Sequence, residues 1–227
     1  MGLCPRYQDY SMNFYTFYTD SHKKIYEEFF LKSFPEEEFN LFCEEFKQEC
    51  PTATYREQGW NLTMAKKIQL IIDGIESSWG EYMVHGDCDI QFFPPGIKDT
   101  LVTELGDNDI AFQSDGTKYC AGFFICKAND SSLNLFKQVK ANLSFFPDDQ
   151  EALNHLISQY PLKHKTLSGL FYTVARDNNW QVYTGEDNPR ITTNKILMHH
   201  ANYTMGLENK TKLLKIVRDK FLKQWMI

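Results

Sequence analysis

Two aspartates one residue apart, Asp87 and Asp89, follow a short apolar run in the segment EYMVHGDCDIQFF. At the end of a strand, carboxylates at this spacing can converge on one hard divalent cation, which prefers oxygen ligands and can still bind the phosphates of a substrate. The spacing alone is a weak signal, because Asp107 and Asp109 form a second D-x-D. The apolar strand that leads into Asp87 favours the first pair as the candidate metal site.

Alternating strands and helices are expected to position this pair. Residues 12–19 form a β-branched and aromatic run, and helical spacing of apolar residues follows from residue 21 to residue 34. Residues 63–75 carry an isoleucine stripe ahead of the aspartate strand, which gives the order strand, helix, strand. Ligands of such sheets bind beyond the carboxyl ends of the strands. The first strand's end, Tyr18, Thr19 and Asp20, should therefore face the same crevice as the two aspartates.

The rest of the chain continues this pattern. Apolar runs predict strands over residues 109–113, 121–126 and 195–200, and helices over 131–143 and 148–159. The acidic segment 36–48 carries Phe39, Phe42 and Phe46 at helical spacing, which predicts a solvated amphipathic helix. We therefore predict one α/β domain over residues 1–227, with a mixed, largely parallel sheet flanked by helices.

Composition limits the functional classes. A formal net charge of -6 argues against a dedicated nucleic-acid binder, which would need a basic surface. The six cysteines form no C-x-x-C pair and follow no recognisable signal peptide, so we expect reduced thiols in the cytoplasm. No run of about 18 apolar residues predicts a membrane span. The cationic last eighteen residues form a helix that either contacts an anionic membrane surface peripherally or packs its apolar face on the core.

A nucleotide suits the predicted crevice. The ring of Tyr18 or Phe17 can stack near a base, and backbone groups at Thr19 and Asp20 can hold it. A metal on the aspartates can bind the phosphates. Two carboxylates leave such an ion under-coordinated, so a third protein ligand is expected. His199 and His200, at the end of ILMHH, are the candidates, and only one of them can face the metal if the segment is extended.

Seven segments occur in an order that is hard to reach by chance. They are FYTFYTDSH, WNLTMAKKIQLI, YMVHGDCDIQFF, DIAFQSD, CAGFFICK, DDQEALN and LMHHANYTMGLENKTKLL. Together they resemble the compact nucleotide-diphospho-sugar glycosyltransferases of the GT-A (Rossmann-like) fold, and the likeness spans nearly the whole chain. The resemblance implies a metal-dependent enzyme that transfers a sugar from a UDP-sugar to a hydroxyl acceptor such as a glycan.

The resemblance also implies which parts of the chain bind the nucleotide and the acceptor. Residues 12–95 would bind the nucleotide, and residues 96–227 would form the acceptor side. Asp87, Asp89 and His200 would hold Mn²⁺ or Mg²⁺, with Asp87 also near the ribose. Lys67 would approach the donor. Gln113 and Asp115 would line the sugar or acceptor side, and Asp149 would reach the sugar or the acceptor hydroxyl.

The catalytic base follows from the chemistry of transfer. In an inverting reaction one carboxylate must accept the proton of the acceptor hydroxyl, and Asp149 is the first candidate, with Asp148 or Asp115 behind it. In a retaining reaction the same residues would give electrostatic support. Structural alternatives remain, because Asp149 can be a helix N-cap and Lys67 a solvated helix residue.

Two departures from the family pattern and two alternative functions remain open. His85–Gly86 stand where a hydrophobic and a small polar residue are usual, and Cys120 stands where asparagine is frequent. The alternatives to a transferase are a non-catalytic nucleotide-sugar-binding protein and a metal-dependent hydrolase or nucleotidyltransferase that uses the same aspartates.

Overall fold

The computed structural model describes residues 11–53, 55–93, 95–172, 182–191 and 193–225. Their strands are β1 Met12–Thr19, β2 Phe39–Phe46, β3 Tyr82–Gly86, β4 Ile90–Phe92, β5 Ile110–Asp115, β6 Lys118–Lys127, β7 His164–Thr166, β8 Phe171–Tyr172 and β9 Met198–His200. Residues 20–33 form one helical segment, which consists of a 3-10 turn Asp20–His22, α1 Lys23–Ile25, a π turn Tyr26–Phe30 and α2 Leu31–Ser33. The other α-helices are α3 Trp60–Ser77, α4 Ile97–Leu105, α5 Asp130–Asn142, α6 Asp149–Leu156 and α7 Leu207–Trp225.

The main sheet has six strands in the order β2-β1-β3-β6-β5-β7. Strand β1 is parallel to both β2 and β3, and β5 is parallel to β7. Strand β6 is antiparallel to β3 and to β5. The predicted α/β fold with a mixed, largely parallel sheet is confirmed. Strands β1 and β3 are parallel neighbours, so their carboxyl ends lie at the same edge of the sheet, as the alternation of elements predicts.

The acidic segment 36–48 is a strand, so the predicted amphipathic helix is wrong. Alternate residues Phe39, Leu41 and Cys43 pack towards the core, which is the period of a strand. Phe42 lies on the other face and stacks on Tyr15 of β1, with ring centroids 5.0 Å apart. The spacing of the phenylalanines fits a helix, but the parallel register with β1 along the whole of β2 shows a strand, which places Phe39 and Phe42 on opposite faces.

A second, three-stranded sheet carries the C-terminal histidines to the aspartates. Its order is β4-β9-β8, and β4 and β9 are antiparallel. The register pairs His200 directly with Ile90, the residue after Asp89. The pairing of β4 with β9 therefore brings His200 close to Asp89, although the two residues lie more than a hundred positions apart in the chain.

Helix α7 packs its apolar face on the protein core. Leu213, Leu214, Val217 and Phe221 are buried, in a cluster that includes Phe93. Because these side chains are buried, they cannot contact a membrane surface. Of the two arrangements expected for the C-terminal helix, the structure shows the one in which its apolar face packs on the core. Among the described residues, none of the helices combines the length and hydrophobicity that a membrane crossing requires.

Candidate functional site

Asp87, Asp89 and His200 bring their ligand atoms within 4.8 Å of one another. The His200 Nε2 atom lies 3.1 Å from Asp89 Oδ1 and 3.9 Å from Asp87 Oδ2. Two carboxylates and an imidazole form a donor set that suits Mn²⁺, and three protein ligands leave positions open for a substrate. Asp89 and His200 are buried, whereas the Asp87 side chain keeps 26% of its surface exposed, which leaves access to the site.

Gly122 on β6 allows Asp87 and His200 to approach each other. A Cβ atom at this position would overlap both the Asp87 carboxylate and the His200 ring. The backbone is fixed here as well, because the Asp87 amide donates to the Gly122 carbonyl at 2.8 Å. The site therefore depends on a missing side chain on the neighbouring strand.

Gln113 holds the His200 ring from behind. The His200 Nδ1 atom is 2.9 Å from Gln113 Oε1, and the amide nitrogen of Gln113 donates to the Phe171 carbonyl at 3.2 Å. This bond directs the other ring nitrogen, Nε2, towards the aspartates. The predicted sugar-side residue Gln113 is thus fully buried and acts on the site through His200. Cys120 also lies behind the ring, with its sulfur 3.8 Å from Nδ1.

His199 points away from the two aspartates, as the extended backbone of β9 requires. Its Nδ1 atom is 3.3 Å from Gln91 Nε2, and its ring stacks on Tyr172. Burial, together with the nearby His200, lowers the pKa of His199 to about 3. Of the two histidines proposed as the third ligand, only His200 belongs to the cluster.

Two lysines neutralise the aspartates. The Lys67 ammonium lies 3.0 Å from Asp87 Oδ1 and 3.0 Å from Asp149 Oδ2, and Lys210 contacts Asp89. Burial alone would raise the pKa of Asp87, but Lys67, with His85 and His200, holds it at about 2. Lys67 is only 3% exposed, so it is not the solvated residue that a helix position allows.

The pKa of each buried cation reflects its carboxylate partner. Burial would lower the pKa of Lys210, yet Asp89 raises it above the usual value. Burial would likewise lower the pKa of His200, and Asp89 raises it to about 10. In contrast, burial and the Lys210 charge lower the pKa of His22 to about 4. The site therefore pairs its charges closely.

The two adjacent aspartates at the start of α6 have different environments. Asp148 is the N-cap, because its Oδ1 accepts from the Glu151 amide at 2.8 Å. Its other oxygen accepts hydrogen bonds from Tyr55 and from Arg56, so both carboxylate oxygens of Asp148 are hydrogen-bonded within the protein. Asp149 lies inside the helix and faces Lys67, so the structure assigns the capping role to its neighbour.

The remaining predicted residues are not in the metal cluster found among the described residues. Asp115 is buried and accepts from Gln150 Nε2 at 2.7 Å, one residue from Asp149. Tyr18 stacks on Tyr26 and donates to Glu45 at 2.9 Å. The next two residues at the end of β1 differ in exposure, because Thr19 is buried and Asp20 is exposed.

The second D-x-D serves the fold. Asp109 accepts from the Lys163 amide at 2.9 Å and from the Asn129 side chain at 2.9 Å. Asp107 is exposed. The two carboxylates have no part in the cluster found among the described residues. The choice of the first pair from its context agrees with this arrangement.

Comparison with known protein families decides the identity. The model of the family described as nucleotide-diphospho-sugar transferase matches residues 83–214, which is more than half of the chain. The chain belongs to that family. This glycosyltransferase therefore uses a nucleotide-diphospho-sugar as its donor. A comparison with curated protein sequences found no match.

Two solved structures share the fold of the transferase. One is a glycosyltransferase involved in the glycosylation of the major capsid of PBCV-1, with a TM-score of 0.59, 11% sequence identity, and coverage of 90% of this chain and 98% of that chain. The other is the glycosyltransferase GlyE of Streptococcus pneumoniae TIGR4, with a TM-score of 0.51 and 13% identity. That match covers 95% of this chain and 63% of GlyE.

Sequence reasoning assigned no role to two residues of the transferase site. Lys210 contacts Asp89 from the first turn of α7. It lies in the segment LMHHANYTMGLENKTKLL, but its partner depends on how α7 docks. Gly122 could have been suspected from its position inside a strand, where glycine often marks a close approach.

Proposed function

We propose that this glycosyltransferase is metal-dependent and transfers a sugar from a UDP-sugar to a hydroxyl acceptor. Asp87, Asp89 and His200 would hold Mn²⁺ or Mg²⁺. A bound ion supplies positive charge for the diphosphate, on which negative charge grows as the sugar leaves. The observation that carries the proposal is the convergence of these three ligand atoms at the sheet edge, beside two buried lysines.

Lys67 and Lys210 are proposed to bind the donor diphosphate. Both ammonium groups are held at the aspartates by ion pairs, and a diphosphate at that edge would meet them directly. A buried cation that is already positioned loses little conformational freedom when it binds an anion. These lysines would thus favour departure of the diphosphate at small reorganisation cost.

Asp149 is proposed to act on the acceptor. During transfer the bond between the anomeric carbon and the diphosphate oxygen breaks, and a bond from that carbon to the acceptor oxygen forms. In an inverting reaction Asp149 takes the acceptor proton and passes it to solvent. In a retaining reaction the same carboxylate stabilises the cation-like sugar. Asp115 would support this side through Gln150, and Asp148 acts as the cap and as the partner of Arg56.

The proposed division of the chain follows from these roles. Residues 12–95 would hold the nucleotide, with Tyr18, Thr19 and Asp20 near the base, and Asp87 near the ribose. Residues 96–227 would supply the acceptor side. His200 and Lys210 come from this second part and complete the metal and diphosphate site. The cytoplasmic location expected from the cysteine pattern stays a prediction.

A screen of nucleotide sugars with Mn²⁺ tests the function. Transfer to an added acceptor gives a glycoside and free UDP, whereas a hydrolase gives free sugar with or without acceptor. A binding protein gives only a thermal shift with nucleotide and Mn²⁺. If every nucleotide sugar stays intact and nucleotide with Mn²⁺ gives no thermal shift of the protein, the proposal is contradicted.

An Asp89→Ala variant tests the metal assignment. It should lose Mn²⁺-dependent turnover while remaining folded, because Asp89 contributes one of the three ligands. The matched control is Asp107→Ala, which removes an exposed carboxylate of the other D-x-D. Equal turnover in the two variants would show that the metal assignment is wrong.

A further inference from the structure

His85 is a polar side chain enclosed in the protein core beside the candidate metal site. It lies on β3, two residues before Asp87, which is the spacing of side chains on one face of an extended chain. The residue is fully buried, and its ring lies against Phe124 of β6, with ring centroids 5.5 Å apart. Among the described residues, neither ring nitrogen of His85 has a hydrogen-bond partner. Burial of an unpartnered polar group costs stability, and an apolar side chain would fill the same space without that cost.

One ring nitrogen of His85 is directed at Asp87. The His85 Nε2 atom lies 3.5 Å from Asp87 Oδ1. The other carboxylate oxygen, Oδ2, is the one that faces His200, whose Nε2 atom is 3.9 Å away. The two oxygens of Asp87 therefore have different neighbours, since Oδ2 faces the cluster of proposed metal ligands and Oδ1 faces the core. A carboxylate that binds a metal is commonly held by a hydrogen bond from a residue outside the ligand set.

Lys67 is the other neighbour of this carboxylate, and it is shared. Its ammonium lies 3.0 Å from Asp87 Oδ1, 3.2 Å from Asp87 Oδ2 and 3.0 Å from Asp149 Oδ2. In the function proposed above, the same ammonium also binds the donor diphosphate. The imidazole of His85 has no such second partner among the described residues, and the core surrounds it. Burial, the largest influence, lowers the pKa of His85, so at neutral pH the ring is uncharged and carries a single N–H.

We propose that His85 is a positioning residue, whose Nε2–H donates to Asp87 Oδ1 and so directs Asp87 Oδ2 towards the metal. This inference rests on the proposed metal-dependent function. A full hydrogen bond extends to about 3.2 Å between donor and acceptor, so the 3.5 Å contact closes with a small rotation of Asp87. The Asp87 side chain is 26% exposed and has room for this movement. His85 touches neither the metal nor the substrate and acts through Asp87.

The tautomer of His85 tests the contact without any metal. Long-range ¹H–¹⁵N correlation spectra of protein labelled with ¹⁵N-histidine show which nitrogen of a neutral imidazole carries the proton. A spectrum of His85→Met identifies the signals that belong to His85. We expect the proton on Nε2, the atom that faces Asp87. A proton on Nδ1 would leave a lone pair facing the carboxylate oxygen, and the proposal would be overturned.

Mn²⁺ titration of His85→Met tests the effect on the site. Methionine is flexible enough to fill the space of the imidazole, and it removes the N–H. We expect Mn²⁺ affinity to fall about tenfold, as for the loss of other partners of metal ligands. The Tm without metal should not fall, because a buried polar group without a partner has been removed. A residue that serves packing alone would give the reverse result, a lower Tm with unchanged Mn²⁺ affinity, and that result would refute the positioning role.

Two amide variants separate the N–H of Nε2 from the rest of the ring. In His85→Gln the amide nitrogen reaches the position of Nε2, whereas in His85→Asn the amide nitrogen lies near the position of Nδ1. His85→Gln should therefore retain most of the Mn²⁺ affinity, and His85→Asn should lose as much as His85→Met. If His85→Gln is as impaired as His85→Met, the N–H donor is not the element that positions Asp87, and the proposal fails.

Met83→Ala is the matched control for packing of β3. Met83 is fully buried, lies two residues before His85, and belongs to the same apolar cluster as Phe124. This variant should lower the Tm and leave Mn²⁺ affinity unchanged. Equal losses of affinity in Met83→Ala and His85→Met would assign the effect to packing and refute the proposal.

The same measurements distinguish this inference from the proposed function. If the unmodified protein binds no Mn²⁺, the metal-dependent function fails, while the tautomer of His85 still decides the contact with Asp87. If the unmodified protein and His85→Met bind Mn²⁺ equally well, the metal site stands and the positioning role of His85 is refuted.

Discussion

A methyl group at position 122 should damage the metal site while leaving the sheet intact. The Cβ atom of Gly122→Ala would overlap the Asp87 carboxylate and the His200 ring. The strand cannot simply move away, because the Gly122 carbonyl accepts the Asp87 amide at 2.8 Å. The two side chains must therefore rotate apart, and both are ligands in the proposed site.

The magnitude follows from the local geometry. Forcing one extra methyl into packed surroundings costs about 1–3 kcal/mol of stability. Displacement of ligand side chains by a supporting residue typically weakens metal affinity by about 10- to 100-fold. We expect Gly122→Ala to lose stability in the lower part of that range, because the Asp87 side chain is 26% exposed and can turn towards solvent.

Isothermal titration with Mn²⁺, in parallel with denaturant unfolding, measures both effects. The matched control is Gly169→Ala, an exposed position at which a Cβ atom meets nothing within 4 Å and the backbone is unstrained. The control should bind Mn²⁺ as the unmodified protein does. Unchanged Mn²⁺ affinity in Gly122→Ala would refute the claim that Asp87 and His200 act together at this site.

Three further variants test the roles of single side chains. Asp148→Asn keeps a capping oxygen and removes the charge that pairs with Arg56, so stability should fall by about 1 kcal/mol at pH 7. Because partners lower the pKa of Asp148 in the folded state, that difference should be complete above about pH 4 and should be lost as the pH falls further, through the lowered pKa of the folded state. Unfolding curves at several pH values would show it. Lys210→Met removes a cation at the Asp89 side of the site and should weaken UDP binding by about tenfold or more in calorimetry, whereas equal affinity would exclude a diphosphate contact. Phe221→Ala opens a cavity under α7 and should cost about 3–5 kcal/mol in denaturant unfolding, with Mn²⁺ affinity unchanged; a small cost would contradict the docked helix.

Local periodicity was sufficient for most of the fold and failed where it was ambiguous. The runs leading into Asp20 and Asp87 carry β-branched and aromatic residues, and α3 carries a clear apolar stripe, so their types could be predicted. In residues 36–48 the phenylalanines follow helical spacing, whereas Phe39, Leu41 and Cys43 alternate as in a strand. Only the pairing with β1 selects the strand, and such a pairing depends on a partner elsewhere in the chain.

The sequence by itself determined the chemistry at the strand ends. Asp87 and Asp89 are one residue apart in the chain, so the end of one strand is enough to present both, and the motif order around them indicated the family. A histidine ligand was also expected, but the choice between His199 and His200 required the direction of each side chain on β9.

Tertiary structure decided everything that depends on contacts between distant segments. The register of β4 with β9 brings His200 to the aspartates, and the docking of α7 brings Lys210. Contacts between residues so far apart in the chain depend on packing. No local sequence pattern encodes them, because the whole fold sets which residues are neighbours in space. The same reason explains why Asp148, predicted as a catalytic carboxylate, is a helix cap tied to Tyr55 and Arg56.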